Sequence, residues 1–236
     1  MAITGSGQVS LGDIQTEFGG SNPIGLSEYY GEGNAPASGE IQLAADFYGT
    51  SSWTASEGHT LIATATASGS ATLAFSSGID STYDVYEFVF TNMHPATDNV
   101  DFSFQVNAAG ASGFNETITS TAIDIYHNEA DGTTSLDYHA GLDQAQGSAY
   151  QKLIYGVGAD SDQSCSGVVT LYAPASTTYV KHFVAETNSA WSGNFAMQEL
   201  VAGYINTTSA IDEISFKFHS GNIGAGQIKM YGIAKA

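Results

Sequence analysis

The stretch VDFSFQVN, from Val100 to Asn107, alternates strictly between apolar and polar side chains. Its apolar residues are Val100, Phe102, Phe104 and Val106, and its polar residues are Asp101, Ser103, Gln105 and Asn107. In a β-strand, successive side chains point to opposite faces, so a period of two separates these two sets completely. The stretch therefore predicts a strand with one apolar face turned toward a core.

The same period continues on both sides of this stretch. In EISFKFH (213–219), Ile214, Phe216 and Phe218 are expected to point inward, and YDVYEFVFT (83–91) has large apolar residues on both faces. Clusters of Gly, Asn, Asp and Ser separate further candidates, which are LIATATA, ATLAF, GVVTLYA, TTYVKHFVAE and GQIKMYGIA. About eight to ten strands in one domain predict an all-β fold, an antiparallel two-sheet β-sandwich resembling a jelly roll.

The charge balance argues against two classes of partner. The 236 residues carry 24 acidic side chains against five lysines, with no arginine, for a net charge of −19. Nucleic-acid binding and attraction to an anionic membrane both need clustered basic residues, so we expect neither. The opening residues lack the basic and apolar regions of a signal peptide, and no stretch is long enough for membrane insertion. Cys165 is the single cysteine, which predicts a small core residue without a disulfide.

The first fifty residues follow a different pattern, built from short units. VSLGDIQTEFGG, IGLSEYYG and IQLAADFYG each combine a leucine, an acidic residue and aromatic residues beside glycine. In the first unit Ser10 can cap a short helix that Gly19 and Gly20 end. The segment GTSSWTASEGH has linker composition. We therefore predict an N-terminal module of helical or turn repeats at 1–52 and a β domain at 53–236.

Large apolar side chains are frequent in this N-terminal module, although glycines leave little to shield them. One interpretation is that they are buried against other chains in a homo-oligomer; the alternative is an arm folded back on its own domain. The candidate interface residues are Leu11, Ile14, Phe18, Leu26, Tyr29, Tyr30, Leu43, Phe47 and Tyr48.

Motifs for chemistry are sparse, and no enzyme, cofactor or metal ion is predicted. The sequence has no His-Glu-x-x-His pair, no Gly-x-Ser-x-Gly elbow and no P-loop. DSDQSCSG (160–167) has acids at calcium-loop spacing without the closing Glu, and DIYHNEADG (124–132) could assemble a metal site or be a solvated loop. A carboxylate pair for glycoside hydrolysis needs only proximity, and no pair is singled out. In the Gly- and Ser-rich segment TNSAWSGN, Trp191 is the best candidate for an exposed, sugar-stacking aromatic.

Three segments carry a resemblance to a known group of proteins. LGDIQTEFGGSNPIGLSEYYG (11–31) resembles the N-terminal motif of tail-fibre and virion structural proteins in tailed phages of marine bacteria, of the cyanophage type. GIDSTYDVYEFVFTNMHPATDNVDFSFQVN (78–107) and IKMYGIA (228–234) are similar to segments of the same group. The chain is short for a complete fibre, so the resemblance implies one component of a tail or appendage.

The resemblance implies a function, partners and a location. The protein would be a virion structural protein, assembled in the host cytoplasm and released by lysis, with the N-terminal module attaching it to other virion proteins. The β domain would project and contact a host surface glycan. A trimeric state is implied by the likeness to phage fibres alone. The alternatives are a capsid decoration protein, or a carbohydrate-binding or glycan-degrading jelly-roll module.

Overall fold

The computed structural model describes residues 11–19, 29 and 58–233. Contacts within the chain divide it into two units, Met1–Gly58 and His59–Ala236. The predicted boundary near Ser52 lies outside the described residues, so it stays a prediction. The same is true of five candidate interface residues, which are Leu26, Tyr30, Leu43, Phe47 and Tyr48.

In the first unit, the predicted short helix is present as α1 (Leu11–Phe18). It ends at Gly19, whose backbone has φ +80° and whose N–H donates to Gln15 O at 2.9 Å. Such a left-handed residue after the last turn is a common helix terminator. Ile14 and Tyr29 are buried, Phe18 is half-buried, and the side chain of Leu11 is outside the description. The burial of Ile14 and Tyr29 within one chain means that these two side chains do not need a partner chain to shield them.

The second unit is built from antiparallel strands joined by turns and loops. They are β1 (Thr60–Thr66), β2 (Leu73–Phe75), β3 (Val85–Pro95), β4 (Val100–Ala108), β5 (Ile118–Asn128), β6 (Thr134–Tyr138), β7 (Gln151–Val157), β8 (Cys165–Tyr172), β9 (Lys181–Trp191), β10 (Phe195–Ile205), β11 (Ile211–Phe218) and β12 (Ile223–Ile233). Within the described residues, no helix combines the length and apolar character needed to cross a bilayer.

These strands form one continuous sheet with a barrel-like arrangement. Its main path runs β1-β12-β3-β8-β9-β7-β4-β11-β2, and a branch leaves β9 through β10 and β5 to β6. The strands at the two ends of the main path, β1 and β2, also contact each other. The all-β antiparallel prediction is therefore confirmed, but a clear two-sheet sandwich is not present. The pairing of Val157 with Trp191 joins β7 to β9 and links what would otherwise be separate sheets.

The core is centred on phenylalanine rings from β3, β4 and β11. Phe102 lies 5.1 Å from Phe218 and 5.2 Å from Phe90, measured between ring centroids, and it stacks on Phe216 at 6.1 Å. The apolar face predicted for VDFSFQVN is buried as expected, and the polar face of β4 is buried as well. Cys165 is buried at the start of β8, which confirms its predicted place in the core.

Candidate ligand-binding pocket

A pocket of about 250 Å³ opens on the inner side of the sheet, at one end of β5, β9 and β10. Its walls are mainly aromatic, with a carboxylate and an imidazole among them. The lining residues are Asp124, Tyr126, Thr133, His139, Tyr155, Trp191, Phe195 and Met197. Trp191, the predicted sugar-contacting residue, is therefore part of the largely apolar concave surface that ligand sites usually provide.

The register of three neighbouring strands creates the pocket floor. In these strands, each inward residue of β10 pairs with one residue of β5 on one side and one residue of β9 on the other, which gives rows of three neighbouring side chains. From the core outward these rows are Ala122–Val201–Ala185, Asp124–Glu199–Thr187, Tyr126–Met197–Ser189 and Asn128–Phe195–Trp191. The inner face thus changes from small apolar residues to a polar row and then to an aromatic end.

Aromatic rings form a continuous belt around the pocket, which we call the aromatic belt. Tyr126 contacts Phe195 with ring centroids 5.7 Å apart, and Phe195 contacts Trp191 at 4.9 Å. The belt continues from Trp191 to Tyr155 at 6.3 Å and from Tyr155 to His139 at 5.4 Å. Since these residues come from β5, β7, β9, β10 and the turn after β6, the belt depends on the folded sheet.

Two glycines make room for the indole of Trp191. A Cβ on Gly156 would lie 2.0 Å from Trp191 Nε1, and a Cβ on Gly193 would lie 2.5 Å from Trp191 Cζ3. Gly156 also has φ +63°, a conformation that other residues adopt at a cost. The sequence predicts a loop with an exposed ring at Trp191, whereas Trp191 is the last residue of β9 and is half-buried.

Three buried polar atoms of the lining residues have no hydrogen-bond partner within the described part of the chain. They are Asp124 Oδ1, His139 Nδ1 and Trp191 Nε1. His139 Nδ1 lies 3.3 Å from Asp124 Oδ2, close enough for an ion pair but without hydrogen-bond geometry. Trp191 Nε1 packs against Gly156. Since buried polar atoms are normally satisfied, the other two atoms, Asp124 Oδ1 and His139 Nδ1, point to a polar ligand.

Glu199 is the middle residue of the polar row, between Asp124 and Thr187, and is fully buried. Its Oε1 and Oε2 accept the backbone N–H of Tyr155 at 2.9 and 3.1 Å. Burial raises the pKa of Glu199 to about 9, the Tyr155 hydrogen bond opposes this rise, and the carboxylates of Asp124 and Asp101 add to it. Glu199 is therefore uncharged at neutral pH.

The two candidate metal segments do not assemble as metal sites. In DIYHNEADG, Asp124 points inward on β5 whereas His127 is exposed on the opposite face, where its Nε2 lies 3.0 Å from Asp131 Oδ1. In DSDQSCSG, Asp160 begins a turn that Gln163 N closes at 2.8 Å. Among the described residues, no group of three His, Cys, Asp or Glu side chains is placed to hold a metal ion.

The sequence analysis did not find most of this pocket. β5, β7 and β10 were absent from the predicted strands, so Tyr126, Tyr155 and Phe195 were not recognised as neighbours of Trp191. On β5 the inward residues include Ser120 and Asp124, which do not give the apolar alternation of a core strand. The one available signal was the frequency of aromatic residues in these segments.

Comparisons with known proteins give no match to a family model, to a curated protein or to a solved structure. A function for this chain therefore rests on the chemistry of its own residues.

Proposed function

We propose that the β domain is a glycan-binding domain of a virion structural protein and that the aromatic pocket is its binding site. The observation that carries the binding role is the aromatic belt in a pocket whose lining also holds two unpaired buried polar atoms, Asp124 Oδ1 and His139 Nδ1. Aromatic faces bury the apolar C–H surface of a sugar ring, and the polar edges of Tyr and Trp stay available for hydrogen bonds. The pocket volume of about 250 Å³ suits a single sugar ring at the end or branch of a glycan.

Two unpaired atoms match the hydroxyl groups of a sugar. Asp124 Oδ1 accepts hydrogen bonds, and His139 Nδ1 accepts or donates according to its protonation. A hydroxyl group is both a donor and an acceptor, so hydroxyls on one ring satisfy both atoms. A purely apolar ligand would leave them unpaired, at a cost of about 1–3 kcal/mol each.

We propose binding rather than glycan hydrolysis. Glycoside hydrolysis requires two carboxyl groups on either side of the scissile bond. Asp124 and Glu199 are cross-strand neighbours, but Glu199 is fully buried and both of its oxygens already accept the N–H of Tyr155. Glu199 therefore serves to hold β7 in place.

The virion role is supported by the sequence resemblance of residues 11–31, 78–107 and 228–234. In this proposal residues 1–52 attach the protein to other virion proteins, and the β domain contacts the host surface. Deleting residues 1–50 should abolish incorporation into particles, which immunoblotting of purified virions would measure. The matched control is Trp191→Phe, which should incorporate normally, and normal incorporation of the deletion would rule out the attachment role.

Glycan binding is tested with the full chain on a glycan array, followed by saturation-transfer NMR on the glycans that bind. Trp191→Phe keeps a ring but reduces the aromatic surface of the pocket wall, so we expect about a tenfold loss of affinity. The matched control is Trp53→Phe, the same substitution at the other tryptophan of the chain. A reducing-sugar assay completes the test, because turnover would replace the binding proposal with an enzyme, and absence of binding would refute it.

A further inference from the structure

We infer that the pocket selects a sugar that carries a free amino group, in preference to neutral and acidic sugars. This inference rests on the proposed glycan-binding function and adds the chemical class of the ligand. Three features favour it: the unpaired Oδ1 of Asp124, the aromatic rings that line the same pocket and the absence of a lysine among the lining residues.

The carboxylate of Asp124 is the first feature that favours a cationic group. Asp124 is only 7% exposed, and its Oδ1 has no hydrogen-bond partner among the described residues. A buried carboxylate oxygen of this kind is satisfied best by a cationic donor, because the attraction between opposite charges adds to the hydrogen bond. An ammonium group on a sugar ring supplies such a donor, whereas a hydroxyl supplies only a neutral one.

The aromatic belt is the second feature. Tyr126, Tyr155, Trp191 and Phe195 line one small pocket, and their ring faces are electronegative. A cation within about 6 Å of a ring centroid is attracted to such a face, most strongly to Trp. Because four aromatic residues line a cavity of about 250 Å³, a cation bound in it lies close to aromatic rings.

The charges around the pocket are the third feature. Of the eight lining residues, His139 alone is able to carry a positive charge. The nearby Lys152 is held by Asp101, with Nζ and Oδ2 2.9 Å apart. An acidic sugar would bring a carboxylate toward Asp124, and the net charge of −19 on the chain disfavours it further.

A simple amine would leave part of the site unsatisfied. His139 Nδ1 has no hydrogen-bond partner among the described residues and accepts or donates according to its protonation. A sugar hydroxyl supplies that partner while the amino group meets Asp124. An amino sugar therefore satisfies both unpaired atoms.

The test compares four sugars on the intact full chain by saturation-transfer NMR and calorimetry near neutral pH. The probes are 2-amino-2-deoxyglucose, its N-acetyl derivative, glucose and glucuronate, with tetramethylammonium as a cation without a sugar. We expect the amino sugar to bind at least about tenfold more tightly than glucose or the N-acetyl derivative, and glucuronate to bind most weakly. Asp124→Asn should reduce the amino sugar to the affinity of glucose. The control Asp162→Asn removes the same charge from an exposed turn and should leave the affinity for the amino sugar unchanged.

The outcomes separate this inference from the proposed function. Equal affinities for the amino sugar, its N-acetyl derivative and glucose would overturn the amino-group preference and leave glycan binding intact. If tetramethylammonium binds but none of the four sugars does, or if no probe binds, both the amino-group preference and the glycan-binding function are overturned. The comparison of sugars uses the native chain, so the amino-group preference can still be tested if Asp124→Asn fails to fold.

Discussion

The backbone N–H of Tyr155 on β7 donates its hydrogen bond to the carboxyl group of Glu199 on β10 instead of to a backbone carbonyl. Among the described strands, β7 pairs with β9 at one position, Val157 with Trp191, and then diverges from it. The N–H of Tyr155 donates to both carboxyl oxygens of Glu199, and Thr187 Oγ1 on β9 donates to Leu153 O at 3.0 Å. These side chains bridge the gap that regular pairing of β7 with β9 would close, and Tyr155 at this gap also lines the pocket.

The buried carboxyl of Glu199 should make stability fall as pH rises. Its pKa is about 9 in the folded chain against a usual value of 4.5, so the unfolded state loses its proton first. The free energy of unfolding should therefore decrease between about pH 5 and about pH 9, by at most about 1.4 kcal/mol per pH unit from this group. Glu199→Gln should remove that part of the decrease, which urea unfolding at a series of pH values would measure.

The control for this prediction is Glu186→Gln on the exposed face of β9. In Glu199→Gln, the amide oxygen of the new side chain still accepts the N–H of Tyr155, so this variant and the native chain should have similar stabilities near pH 5. An unchanged pH dependence in Glu199→Gln would show that Glu199 is ionised in the folded state.

The position of the Trp191 indole should depend on Gly193. An added Cβ would lie 2.5 Å from Trp191 Cζ3, so Gly193→Ala should displace the ring from the pocket wall. We expect a shift in tryptophan emission and a loss of sugar binding, measured in a Trp53→Phe background so that one tryptophan reports. In the control Gly132→Ala, the nearest atom to the new Cβ is 3.9 Å away, so both signals should be unchanged. Unchanged emission in Gly193→Ala would contradict the described indole position.

The phenylalanine core should be sensitive to a cavity at Phe102. This side chain is fully buried and contacts Phe90, Phe216 and Phe218. Phe102→Ala should lower the free energy of unfolding by about 3–5 kcal/mol, which denaturant titration would measure. Tyr179→Ala, at a side chain that is 72% exposed, should change it by less than about 0.5 kcal/mol. Similar losses in the two variants would contradict the central role of Phe102.

Strands that face the core on one side could be predicted from the sequence. On β4 and β11, the phenylalanines alternate with polar residues, and the burial of both sets of phenylalanines follows from that period. β3 was expected to be covered on both faces, and most of its residues alternate between fully and partly buried. The hydrophobic period was informative here because core packing determines which residue types occur at these positions.

The pocket strands could not be predicted in this way, because their inward residues include charged and polar side chains. On β5, Asp124 and Tyr126 point inward while Ile123 is 40% exposed on the outer face, which reverses the usual assignment of apolar residues. Glu199 interrupts the apolar inward row of β10. The joining of β7 to β9 at Val157 and Trp191 is a long-range contact that no local pattern indicates. The prediction of two sheets failed at this same position.

The thiol of Cys165 should be protected in the native protein. Cys165 is 1% exposed, its Sγ lies 3.7 Å from Met93 O, and burial raises its pKa well above the usual value. Both low exposure and a protonated thiol slow reaction with thiol reagents. Native protein should therefore label more slowly with a maleimide than protein in denaturant, by at least about a hundredfold. Equal labelling rates, measured by mass spectrometry, would show that β8 opens readily.

The N-terminal module should govern self-association if its apolar residues lie between chains. Ile14 and Tyr29 are buried within one chain, so the prediction depends on residues such as Phe18, which is half-buried, and Tyr30, which lies outside the described residues. Burying a large apolar side chain contributes about 1.5–3 kcal/mol, and salt screens the repulsion between chains of charge −19. We expect light scattering to show a homo-oligomer, a trimer by the resemblance, that Phe18→Asp with Tyr30→Asp converts to a monomer. Tyr179→Asp is the control at an exposed aromatic residue, and a monomeric native chain would refute the prediction.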